Sequence, residues 1–173
     1  MLPLDSAERL VPGADEMGEQ PVADQAGEDE CTRLIEEALA AAKRLLEEEG
    51  QFRPFALTLD EKGDTEIVMP QSTDGSGTSQ DDLDALRADL GAEAAAGGIG
   101  AAAIALNAWL HAPDRSSKRD AVIVFAEHHA GLALQANQIY AIEERRGDVA
   151  PAHAVTWEEL TVDVIAPSIF APR

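Results

Sequence analysis

The chain has one cysteine, Cys31, and one tyrosine, Tyr140, among 173 residues, and only 4% of its residues are aromatic. A lone cysteine excludes an intramolecular disulfide and a cysteine-based zinc site. Scarce aromatics leave the core to Leu, Ile and Val, with Phe52, Phe55, Phe125 and Tyr140 as its large pieces. Basic residues are the next shortage: 13 Lys and Arg stand against 33 Asp and Glu, a formal net charge of −20. So acidic a chain repels phosphate backbones and anionic bilayers, which argues against nucleic acid or a membrane surface as partner. A basic protein partner is one explanation of the charge; solubility, a salt-adapted cytoplasm and a disordered acidic tail are the others. Long apolar runs are missing as well. The longest weakly polar stretch, Ala92 to Leu110, is mainly Ala and Gly with Glu93 and Asn107 inside it, a poor membrane span. No basic segment precedes an apolar one near the N-terminus, so no signal peptide is expected and a cytoplasmic location is the default.

What is present fits one domain with extensions. Residues 1–27 are polar, charged and without a sustained period, and read as a disordered acidic tail. Residues 28–142 carry the periodic segments of an α+β domain, and 143–173 form a Pro-containing C-terminal extension. The charge is shared between these parts: residues 1–30 hold nine acids against Arg9, and the rest of the deficit is spread over the body.

The first element is a helix from about Asp29 to Glu49, with Cys31, Leu34, Ile35, Ala38, Leu39, Ala42, Leu45 and Leu46 on one face and Gly50 as its stop. Phe52–Leu59 and Thr65–Met69 read as strands around an Asp60–Asp64 turn, and Pro54 suggests an edge position for the first. Ser79 is placed to cap a second helix carrying Leu83, Leu86 and Leu90, ending at Gly91. Ala101–His111 is ambiguous on propensity and is taken as a strand. Asp120–Glu127 and Leu132–Ile142 are strands joined by the turn Glu127-His128-His129-Ala130-Gly131. Both parities of the first are apolar, which predicts a central strand covered on both faces. Thr156 and Glu159 have capping-box spacing and suggest a helical turn. The order α-β-β-α-β-β-β implies an antiparallel sheet of about five strands with both helices on one face.

Three residue groups could carry chemistry. Glu127, His128 and His129 combine a carboxylate with two imidazoles, the types that ligate metals and carry protons near neutral pH. The opposing reading is a polar hairpin turn: pleating sends neighbouring side chains to opposite faces, and neither His111 nor His153 has ligand spacing to the pair. Cys31 could be a nucleophile near a helix start, or a small buried hydrophobe. Arg115, Lys118 and Arg119 are the densest basic patch, either an anion dock or a solvated turn. The glycines at 75–77 and 97–100 match no phosphate-binding pattern. Trp109 and Trp157 are either interface anchors or packing residues. No cofactor is implied.

The blocks Glu48-Glu49-Gly50-Gln51-Phe52-Arg53-Pro54-Phe55-Ala56, Ala103-Ile104-Ala105-Leu106 and Asp120–Gly131 resemble a group of small uncharacterised bacterial proteins. Those read as a Gly-x-Phe-x-Pro-Phe strand after an acidic helix, then a hairpin with a Glu-His-x-x-Gly turn and a strand ending in a Pro-Tyr-like pair. Here that pair is Ile139-Tyr140, a departure from the pattern. The resemblance covers about Glu30 to Ile142. It implies a fold and a bacterial source, no established activity, and an accessory role of immunity type. The element order is also similar to profilin-like and roadblock-like scaffolds and to small acidic secretion chaperones. The expectation is therefore a protein-binding accessory protein with a basic partner, able to form a homodimer through a sheet edge. The alternative is a metal-dependent or acid–base enzyme built on Glu127, His128 and His129.

Overall fold

Helix α1 (Val22–Glu49) forms because small and aliphatic residues recur at helical spacing, and Cys31, Leu34, Ile35, Ala38, Ala42 and Leu46 are all buried. The computed structural model that shows this describes residues 22–70, 78–111, 117–145 and 151–170. The helix starts earlier than its aliphatic stripe suggests. Gly27 sits four residues before Cys31 on the same buried stripe, and its missing side chain hides the continuation. Of the tail expected over 1–27, residues 22–27 are thus helical and the others lie outside the described residues. Gly50 closes the helix with φ 76°, its N–H donating to the Leu46 carbonyl at 3.0 Å.

Strands β1 (Phe55–Leu59) and β2 (Thr65–Val68) form a hairpin. The Asp60 carboxylate fixes its turn, accepting the N–H groups of Lys62 and Asp64 at 2.8 and 2.9 Å. Helix α2 (Ser79–Ala95) is capped by Thr78 in place of Ser79, with Asp81 completing a reciprocal capping box. Gly91 does not stop it, and the chain turns only after Ala95. The remaining elements are β3 (Ala101–His111), β4 (Lys118–His128), β5 (Ala133–Glu144) and β6 (His153–Val164).

All six strands form one antiparallel sheet in the order β2-β1-β3-β4-β5-β6. The α+β class and antiparallel sheet expected from the sequence are present, with six strands instead of about five. The two helices, however, lie on opposite faces and not on one. Against α1 pack Phe55, Leu57, Leu59, Val122, Val124, Leu134 and Tyr140. Against α2 pack Ala56, Ala102 and Ile104, with Ile169 from the C-terminal segment.

Alanine makes this arrangement fit. Strand β1 is buried along its whole length, and so are the first five residues of β3, four of which are Ala. Short side chains in the middle layer let a helix approach from either side. The doubly covered strands are therefore β1 and the start of β3. Strand β4 is central but covered fully only on the α1 face; Ile123 and Phe125, on the other, are half-buried, with the Arg87 guanidinium over the Phe125 ring. Pro54 does not put β1 at an edge, because it precedes the strand and forfeits no ladder bond.

Strand β6 lies in the stretch read as a C-terminal extension. Between the pairs Tyr140–Trp157 and Gln138–Leu160, two residues of β6 lie opposite one of β5, so one extra residue bulges out at Glu158–Glu159. The bulge moves the apolar parity from Val155 and Trp157 to Leu160, Val162 and Val164. That shift disguised the strand, and the capping-box spacing at Thr156 sits inside it instead of starting a helix.

Candidate functional site

The β4–β5 turn brings the three residues singled out in the sequence to one end of the sheet. The His128 N–H donates to the Leu132 carbonyl, and the Gly131 N–H returns to the His128 carbonyl, both at 2.9 Å. Pleating separates Glu127 from His128, not His128 from His129. His129 already belongs to the turn, and the two imidazole rings lie 4.3 Å apart between centroids, tilted by 42°.

Glu127 is fully buried on the α2 face. Its carboxylate accepts the N–H groups of Ser168, Ile169 and Phe170 at 2.6 to 3.2 Å and the Ser168 hydroxyl at 2.7 Å. Three successive backbone N–H groups converging on one anion form a nest. The nest holds the C-terminal segment across the sheet and seats Ile169 in the core beside Leu90 and Ile104. With four donors on two oxygens, this carboxylate is engaged in holding the chain together.

His128 points to the α1 face and is buried. Its Nδ1 accepts the Ala130 N–H at 3.1 Å, and its Nε2 lies 3.1 Å from Glu30 Oε2. That network assigns the neutral tautomer with the proton on Nε2, donated to Glu30. Burial holds its pKa below the ordinary histidine value, helped by His129, while Glu30 pulls the other way. A second proton on Nδ1 would also confront the Ala130 N–H, donor against donor. Gly27 makes the ring's position in the α1 layer feasible, since a Cβ there would stand 2.9 Å from Nδ1.

Around these histidines opens a cleft of about 430 Å³, lined by Glu30, Asp60, Glu61, His128, His129 and the glycine-rich turn at Gly97–Gly100. Three acids from α1 and the β1–β2 turn thus meet two imidazoles. The N–H groups of Asp64 and Lys62 hold the Asp60 carboxyl below the usual carboxylate range, so it stays anionic at neutral pH. Sequence reasoning found the histidines but not these acids, which lie 67 to 99 positions away and show only as unremarkable surface carboxylates. Among the described residues, no three His, Cys, Asp or Glu side chains are grouped so as to hold a metal ion.

The other candidates are dispersed. Cys31 is fully buried, and desolvation, reinforced by the negative charges of Glu30 and Glu127, pushes its thiol up to about 12. That is the wrong direction for a nucleophile. His111 ends β3 with its ring edge against Trp109, and His153 packs over Gly50. Lys118 stacks on the exposed Trp109 ring, its Nζ 3.6 Å from the centroid, and Arg119 bonds Glu158. Arg115 and Gly75–Gly77 lie outside the described residues. Trp157 packs at the margin of the α1 core, edge-on to Tyr140.

Among the described residues, no helix is long and apolar enough to cross a membrane. Comparison with known proteins finds no matching family model, no matching curated protein and no matching solved structure.

Proposed function

We propose that this chain is a protein-binding accessory module, of the kind that serves as an immunity protein or chaperone. Its acid cleft receives a cationic side chain of a basic partner. The observation that carries this reading is the meeting of Glu30, Asp60 and Glu61 in one open cleft on a molecule of net charge −20. A Lys or Arg entering it would find several anionic acceptors and, in His129, an exposed imidazole able to stack on a guanidinium. The molecular field would raise the encounter rate with a basic surface, and the cleft would fix the register. The acid–base alternative is weaker, because Glu127 spends its oxygens on the C-terminal nest and faces away from the two imidazoles.

Calorimetric titration with an arginine-rich peptide tests this. Binding is expected at low salt, falling at high salt, and falling several-fold in Glu61→Lys, whose side chain is exposed and can be exchanged without touching the core. No binding at low salt, or binding indifferent to Glu61→Lys, defeats the reading.

A further inference from the structure

Among the described residues, the sheet has two unpaired edges, β2 and β6, of very different character. Edge strand β2 is four residues long, and the Arg33 guanidinium ties its start, donating to the Gly63 carbonyl at 2.9 Å and the Thr65 hydroxyl at 3.0 Å. Edge strand β6 runs for 12 residues. Its last regular section, between the bulge and the strand end, exposes Leu160, Val162 and Val164 at 40%, 48% and 76%. Beyond the bulge, where Asp163 is the one charged side chain, this row of exposed aliphatic side chains leaves a section of edge open to pairing.

We infer that β6 pairs with β6 of a second copy of this chain, antiparallel about a two-fold axis at Val162. Backbone alternation indicates this register. The Ile165 N–H donates to the Ala133 carbonyl at 2.9 Å, which places Ile165, Asp163 and Thr161 on the β5 side of the ladder. The N–H and C=O groups of Leu160, Val162 and Val164 therefore face outward. With the axis at Val162, Leu160 pairs with Val164 of the second copy, and Val162 with its own equivalent. Each pair exchanges two bonds, about six in all. On one face the aliphatic side chains of both copies form a continuous strip. On the other, Asp163 stands opposite Thr161 and not opposite a carboxylate. Moving the axis to Thr161 would set Asp163 against Glu159, a like-charge pair. Moving it to Leu160 would run the pairing into the bulge. The two six-stranded sheets then join into one.

Five paired residues form a small interface, so the dimer is weak and concentration-dependent. Its salt response is also distinctive. Two bodies of charge −20 repel each other, so added salt strengthens self-pairing while it weakens capture of a basic partner. This inference does not rest on the acid cleft, and the two fail in separate experiments.

Sedimentation of the full chain over a range of concentrations, at low and high salt, is the test. The expected result is a shift from monomer to dimer mass with concentration, stronger at high salt. Val162→Asp sets two carboxylates face to face and should weaken association at least about tenfold. Val162→Cys should give a disulfide-linked dimer under mild oxidation, because the self-paired Cα atoms would stand about 5.5 Å apart. An unchanged thermal transition in both variants separates loss of pairing from loss of fold. Monomer mass at every concentration, or a dimer that survives Val162→Asp while Val162→Cys stays uncrosslinked, overturns the inference.

Discussion

The two faces of the sheet are held by different forces. On the α1 face, 28 residues of helix lay a continuous stripe of Cys31, Leu34, Ile35, Ala38, Ala42 and Leu46 over five strands, β1 and β3 to β6. On the α2 face, a shorter helix contributes Leu83, Leu86 and Leu90, and polar clasps supply the remainder. One clasp is the buried Asp82 carboxylate, which takes a two-pronged hydrogen bond from Arg53 at 2.7 and 2.9 Å. The other is the Glu127 nest around residues 168–170. Hydrocarbon contact is non-directional and forgiving of small shifts, whereas a nest works only when its donors are in place. The α1 face should therefore fail with the whole fold, and the α2 face locally.

The largest expected effect tests the first half of that contrast. Leu34→Ala empties a fully buried site under the middle of α1 and should cost about 3 kcal/mol in urea denaturation, with a single cooperative transition. A loss well under about 1 kcal/mol would mean that the α1 layer is loosely packed and the contrast false.

Glu127→Ala tests the other half. It strands three backbone N–H groups and one hydroxyl, but the segment carrying them can detach and solvate them, which limits the cost to about 2 kcal/mol. The decisive readout is local. Amide exchange at Ile169 and Phe170 should become fast while β3 and β4 keep their protection. Glu127→Gln should fall between, since its amide keeps one acceptor. Uniform loss of protection across the sheet would show that the clasp belongs to the global fold.

This division also explains what could be read from the sequence. The α1 stripe, the β1–β2 turn and the β4–β5 hairpin were legible because each follows one period or a local turn signal. Strand β6 was not, because its bulge breaks the alternation midway. The position of α2 was not, because the alanines of β3 satisfy any covering on either face. The histidine turn was visible as residues at 128 and 129, but its acid partners come from α1 and the β1–β2 turn. The Glu127 nest consists of backbone N–H groups, which any sequence at 168–170 other than proline would offer. Contacts made by the main chain leave little trace in residue identity.

The smallest expected effect sits where the two faces meet, at the β4–β5 turn. His128 is held below its ordinary pKa by burial first and then by His129, against the pull of Glu30. Between that lowered value and the unfolded value of about 6.5, the unfolded chain binds the extra proton, so stability rises with pH through this window. The His128 contribution is complete above roughly pH 6.5 and is lost as pH falls through the folded value. Asp60 and Asp81, both held low by backbone N–H donors, have the same sign of slope, but their window begins only below about pH 4. The two windows separate on a plot of melting temperature against pH. His128→Gln keeps a donor for Glu30 and removes the titration, so it should flatten the curve above the carboxylate window and leave the acid limb in place. A curve that keeps its upper slope in His128→Gln would put the proton elsewhere. The α1 face would then have no element that titrates near neutral pH, and the contrast would reduce to hydrocarbon on one side and hydrogen bonds on the other.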